Sequence, residues 1–213
     1  MLLDEILPQY DFTDVHAIKI KASQEVAYRA FTQITLSEIS GIVRLLFFLR
    51  ELPWKITGKE EASLTFDIHK PMLSQMLTGN FILIVEQVPE EIVFGLIVSR
   101  KIGTFVDGYN GTEKLPENPE EFLAFHHPDY LSVVANFLIT PAETPGFTIV
   151  RTESRTKAWS PQAKKDFTPY WRIIRPFSGL IRELWLRGIQ RRAIKISPSE
   201  ETTGILSIGG LVK

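Results

Sequence analysis

Between Phe167 and Ala193 the chain carries apolar side chains at spacings of three and four: Phe167, Tyr170, Trp171, Ile174, Phe177, Ile181, Leu184, Trp185 and Ile189. That period puts them on one face of a single long α-helix, with Arg172, Arg175, Arg182, Glu183, Arg187 and Gln190 on the other. A stripe this long and this aromatic needs a wide apolar partner. The segments before it read mostly as strands, so the partner is expected to be a sheet. A long helix laid on a curved sheet either fills the space between them or leaves a cavity, and that alternative governs what the protein can do.

The strand readings come from alternation and from the turns between them. Tyr10–Lys21 is the first, with His16, Ile18 and Ile20 on one side and Asp14, Lys19 and Lys21 interrupting the pattern. Ser23 then caps a helix reaching about Ile34, with Glu25 in its first turn, where negative charge suits the helix dipole. Thr35 and Glu38 have capping-box spacing, which predicts a second, apolar helix over Leu36–Leu52, stopped by Pro53. Ala62–His69, Asn80–Val88, Glu91–Lys101, Tyr130–Thr140 and Phe147–Ala158 follow as strands, with turns at Pro89-Glu90 and Pro145-Gly146. Thr104–Pro119 is rich in turn residues, and Pro119–Phe125 reads as a short helix. Ser160-Pro161 is a helix-start pair. Thr168-Pro169 repeats it, so Pro161–Phe167 is expected to be a separate turn or a kinked lead-in. From Ser197 the chain turns to Ser, Thr, Glu and Gly, which predicts one domain over 1–196 and a loose tail over 197–213.

Composition removes several function classes. With 213 residues, 44% hydrophobic and 23% charged, the chain can bury one substantial core. A net charge of −1 provides no basic field for nucleic acid. The absence of cysteine excludes disulfides and thiol chemistry. The start, with Asp4 and Glu5, lacks a secretory pattern. No apolar run approaches the ~20 residues of a membrane span. The longest candidate, Leu45–Leu49, lies between Arg44 and Arg50 and is expected to be buried under neighbouring elements. A cytoplasmic location is the expectation. Integral membrane association is not expected, peripheral contact is left open, and oligomeric state is not readable.

The order of elements and some local wording resemble a known superfamily. Ala22-Ser23-Gln24-Glu25-Val26-Ala27-Tyr28-Arg29-Ala30-Phe31 is similar to its first strand-to-helix junction. Thr152-Glu153-Ser154-Arg155-Thr156, leading to Asp166-Phe167-Thr168-Pro169-Tyr170-Trp171, and Phe122–Phe137 resemble an uncharacterised bacterial branch. The superfamily is the START-like or helix-grip group (SRPBCC), which includes polyketide cyclases and lipid-transfer domains. The resemblance spans about Tyr10–Ala193 and implies an α+β domain: a curved antiparallel sheet wrapped around a long carboxy-terminal helix, with two short helices after the first strand. It further implies a cavity between sheet and helix, without one shared catalytic set. Pro169 and Pro176 in the long helix depart from the group's pattern.

On the last strand Arg151, Glu153, Arg155 and Lys157 alternate with Val150, Thr152, Ser154 and Thr156. The charged set is expected to face water. The other set would line a cavity wall whose hydroxyls orient a mainly apolar ligand, or it is simply good strand sequence. Trp171, Ile174, Phe177 and Ile181 would close the same cavity from the helix. Asn136, among apolar strand residues, is either a ligand contact or a structural hydrogen-bonding group. The arginines of the long helix read as a solvated outer face. His126-His127-Pro128-Asp129 lacks a third ligand at metal spacing, His16 and His69 read as structural, and the paired glutamates sit at turns, so no metal, cofactor or catalytic residue is assigned. The leading expectation is non-catalytic binding or transport of a small hydrophobic or amphipathic ligand such as a lipid, isoprenoid or polyketide-like molecule. The alternatives are a cyclase or aromatase, and a protein-interaction module whose cavity has collapsed.

Overall fold

A computed structural model of the chain describes residues 1–39, 67–79, 81–100 and 114–208, with side chains to residue 197. The elements run α1 (Leu2–Ile6), β1 (Phe12–Ile20), α2 (Gln24–Gln33), α3 (Met72–Leu77), β2 (Ile82–Gln87), β3 (Glu91–Ser99), α4 (Pro119–Ala124), β4 (Tyr130–Pro141), β5 (Thr148–Ala158) and α5 (Pro161–Ile208). The strands form one antiparallel sheet in the order β1-β5-β4-β3-β2, with α5 packed against it. The expected α+β class, with an antiparallel sheet holding a long carboxy-terminal helix, is the observed one.

Local chemistry explains three of the helix starts and the turn between β4 and β5. The Ser23 side chain accepts the Val26 N–H and starts α2, and Ser160 Oγ accepts the Ala163 N–H at 3.0 Å and starts α5. Asn118 does the same for α4 ahead of Pro119. Gly146, at φ +77, supplies the left-handed residue in the turn from β4 to β5. The Thr35–Glu38 capping contact forms, with the Glu38 carboxylate accepting the Thr35 N–H at 3.0 Å. Residues 36–39 are a turn there, and the rest of the expected Leu36–Leu52 helix lies outside the described residues. So do the Leu45–Leu49 run, most of Ala62–His69 and most of Thr104–Pro119. The described end of Ala62–His69 is not strand: 67–70 form a turn closed by the Lys70 N–H on the Asp67 carbonyl.

Two boundaries differ from expectation. Thr168-Pro169 does not begin a second helix, because α5 is continuous from Pro161. The Thr168 hydroxyl donates back to the Lys164 carbonyl at 2.6 Å, so it is unavailable as a cap for the following turn. Nor does the helix stop at Ser197; it continues to Ile208. Extending an existing helix needs no new nucleus, so weak helix formers suffice there.

Register sorts the strand residues onto two faces. Towards α5 point His16, Thr152, Phe137 and Ile92 along one row, and Phe12, Thr156, Val133 and Leu96 along another. This inner face is packed at both ends of the helix. At one end Phe12, Leu131 and Ala158 meet Ala163, Phe167 and Trp171, with the Phe12 ring 5.2 Å from the Trp171 ring. At the other, Ile20, Phe137, Ile139 and Val150 meet Trp185, Leu186, Ile189 and Ala193, with α2 closing over them through Phe31. The Phe137 ring lies 4.3 Å from Phe31 and 4.7 Å from Trp185. Between these ends α5 follows the edge strand β1: Gly179 abuts His16, and Gln190 Nε2 donates to the Lys19 carbonyl.

The outer face is covered by α1 and α4, which bury Leu3, Leu7 and Phe122 against Val93, Ile97 and Val134. This cover overturns the expectation that the charged residues of β5 face water for Glu153 and Arg155, while Arg151 and Lys157 stay partly exposed. Glu153 is 2% exposed and Arg155 6%. Arg155 donates through Nε to Glu153 (2.6 Å), through Nη2 to Asp4 (2.6 Å), and through Nη1 to the Leu3 and Leu7 carbonyls (3.3 and 3.1 Å). It thereby terminates α1 as well as neutralising Glu153. Burial lowers the Arg155 pKa, but these two carboxylates outweigh it and the net direction is up.

Candidate functional site: a groove between the long helix and the sheet

The middle of the inner face is less covered than its ends. Val133 and Ala135 lie on the central strand β4 and are only half-buried, as is Ser154 beside Ala135 on β5. Their outer-face neighbours Val134 and Asn136 are fully buried. Because α5 follows the sheet edge, the row through Asp14, Ser154 and Ala135 is the least covered part of the inner face among the described residues, and it forms a candidate groove. On α5, in the span between the two packed ends, Ile174 and Ile181 are half-buried and Phe177 is 45% exposed.

One wall is polar. The i, i+2 spacing on β1 puts Asp14 and His16 on the inner face, beside Ser154 and Thr152 respectively. Facing them, the seven-residue spacing of Arg175 and Arg182 brings both arginines to Asp14. His16 Nε2 is 2.9 Å from Asp14 Oδ2; Arg175 Nε is 3.4 Å from Oδ1, and Arg182 Nη1 is 3.5 Å from Oδ2 and 3.4 Å from the Asp14 carbonyl. Arg182 is therefore not part of a solvated outer face. Its side chain is 17% exposed. Burial pushes its pKa down, and the Asp14 charge recovers only part of that shift. Gly179 lets the helix come this close, since a Cβ there would stand 3.1 Å from His16 Nε2. Next along the helix, the Trp185 indole N–H is buried with no acceptor among the described residues, an arrangement costing about 1–3 kcal/mol.

The residues expected to bind ligand separate into three groups. Thr152, Ser154 and Thr156 share the inner face, with Thr152 and Thr156 buried. Ile174 and Ile181 are half-buried on α5 and Phe177 is exposed, and the helical period sets all three towards the Trp185 side of the helix. Val150 is wholly buried in the packed end that also holds Trp185, and half-buried Trp171 packs with its ring tilted against Phe12 at the opposite end. Asn136 is on the outer face. Its side chain donates to Glu91 at 2.6 Å and accepts the Glu153 N–H at 3.0 Å, so both ends are engaged away from the groove. Sequence reading missed Asp14, His16 and Arg182 as one group. The available signal was the Asp-x-His alternation on a strand, together with two arginines seven apart on a helix. Among the described residues no His, Asp and Glu cluster is arranged to hold a metal ion, and no helix is long and apolar enough to cross a membrane.

No family model matches the chain, and no curated protein matches it significantly. Among solved structures, it is similar to the crystal structure of TTHA0849 from Thermus thermophilus, at 11% identity over 87% of this chain and 99% of that one. The TM-score is 0.33, a likeness too loose to carry an argument.

Proposed function

We propose that the protein binds a small hydrophobic or amphipathic molecule, of the lipid, isoprenoid or polyketide-like kind, in the groove between α5 and the inner face, as a START-like carrier would. The observation that carries this reading is the half-buried state of Val133 and Ala135 on the central strand, between two ends that are packed tight. An apolar guest covering them and Phe177 would gain roughly 25 cal/mol per Å² of surface removed from water, less the cost of association. Thr152, Ser154 and the Trp185 N–H are the polar groups within or beside the groove that could orient it. Native mass spectrometry of the purified full chain, followed by solvent extraction, tests the proposal. Recovery of an apolar molecule, or uptake of the neutral dye Nile red, is the expected result; a protein that carries nothing and takes up no dye overturns it.

A second reading is a cyclase or aromatase. The observation favouring it is the Asp14–His16 contact on the groove wall, a pair able to orient and move a proton. A bound molecule recovered chemically altered after incubation, with the alteration lost in His16→Gln, would select this reading over simple binding.

A further inference from the structure

We infer that the groove selects an acidic amphiphile, an apolar body ending in one carboxylate, with that carboxylate seated on Arg182. The inference rests on the ligand-binding reading above and specifies the class of ligand. Among the described residues, the charged and titratable groups of the polar wall are Asp14 and His16 from β1 and Arg175 and Arg182 from α5; β5 contributes the neutral Thr152 and Ser154. Among these described groups two guanidiniums face one carboxylate, so with His16 neutral they hold one positive charge in excess.

That excess sits on Arg182. Its contacts with Asp14 both use Nη1 and are long, at 3.4 and 3.5 Å, while the short 2.9 Å contact of Asp14 goes to His16. Nε and Nη2 of Arg182 make no hydrogen bond among the described residues. Arg155 shows how this protein satisfies a sequestered guanidinium: Nε and both Nη nitrogens are bonded, two of them to carboxylates at 2.6 Å. Arg182 is 17% exposed and has no comparable shell. A planar fork with free nitrogens matches a carboxylate, and the partial loss of water strengthens that pairing. Ile181 adjoins Arg182 in sequence, and Ala135 neighbours Ser154, the cross-strand partner of Asp14. A head on Arg182 therefore leaves the apolar body over the half-buried centre of the sheet.

Competition against Nile red on the full-length protein at pH 8, with laurate and with dodecanol, tests this. Laurate should displace the dye at a concentration at least tenfold below that of dodecanol. Arg182→Gln should abolish the preference by weakening laurate and leaving dodecanol unchanged. Asp14→Asn, which removes the competing carboxylate, should strengthen laurate; a misfolded variant would not gain affinity, so this second substitution protects the test. Equal displacement by acid and alcohol in the native protein overturns the inference and leaves the binding reading intact. Failure of the native protein to take up the dye or either competitor overturns both.

Discussion

Gly95 and Phe122 occupy one small space on the outer face. A Cβ on Gly95 would stand 2.5 Å from Cζ of Phe122 and 2.9 Å from its Cε2. The ring cannot swing away freely, because Phe122 is 3% exposed and packed among Val93, Ile97 and Val134. The short helix α4 thus rides directly on the backbone of β3. Gly95→Ala is expected to lower stability by about 1–3 kcal/mol through overpacking. Phe122→Leu in the same chain should return part of that loss. Urea melts of the two single variants and the double variant measure the coupling; purely additive losses would show that the two sites do not touch.

Arg155→Gln should cost about 3 kcal/mol, the lower end of what breaking a buried ion pair costs, because Arg151 still bonds to Glu153. Asp4→Asn should cost much less, since Asp4 is mostly exposed. The distinguishing readout is hydrogen exchange in α1. The first substitution removes the donors to the Leu3 and Leu7 carbonyls and should expose the helix, whereas the second should leave it protected.

Asp11 ties the start of β1 to the start of α5. It accepts from Lys164 at 2.8 Å and from the Ala158 N–H at 3.0 Å. Burial raises its pKa, but Lys164 and that N–H outweigh burial, so the folded value lies below 3.8. A carboxyl depressed on folding contributes stability that is complete above its unfolded value and is lost as pH falls through the folded one. Native protein should therefore lose stability from about pH 4 downward. Asp11→Asn should be less stable at pH 7 and show a shallower loss between pH 4 and pH 2. Denaturant midpoints across that range check the slope.

Ser154→Leu adds a branched side chain at a half-buried position beside Ala135. It should lower Nile red affinity at least tenfold by occupying the proposed site, with the melting temperature held within a few degrees because Ser154 is only half-buried. Val150→Ala, in the packed end, should do the reverse: lose about 1–3 kcal/mol of stability and keep dye binding. Unchanged dye binding in a folded Ser154→Leu variant would remove this wall from the site.

Much of the chain was legible before folding. Ser23 and Ser160 announce their helices because a cap acts over three residues. The sheet hairpins appear in Pro89-Glu90 and Pro145-Gly146 for the same local reason. Asn136 resisted reading because β4 is apolar on both sides. Alternation there separates Asn136 from Phe137 without saying which of them looks towards α5. Alternation alone sends Glu153 and Arg155 to water, because nothing near them in sequence announces that α1, some 150 residues earlier, lies over them. Arg182 sits on the border of the apolar stripe, between Ile181 and Trp185, where a helical period cannot choose between solvent and groove.

Residue order alone therefore settles the five strands of the sheet, the Ser23 and Ser160 caps and the long amphipathic helix, since these depend on neighbours within a turn or a strand alternation; it does not reveal α1 or α3, or that α5 runs unbroken from Pro161 to Ile208. Tertiary structure alone decides which charges are buried and where the sheet is left uncovered. The burial of Glu153 and Arg155 follows from α1 lying over the outer face, and that of Arg182 from the path α5 takes along β1, made close by Gly179 and anchored by aromatic packing at each end. Desolvation depends on whatever happens to cover a side chain, and that cover comes from segments far away in the chain.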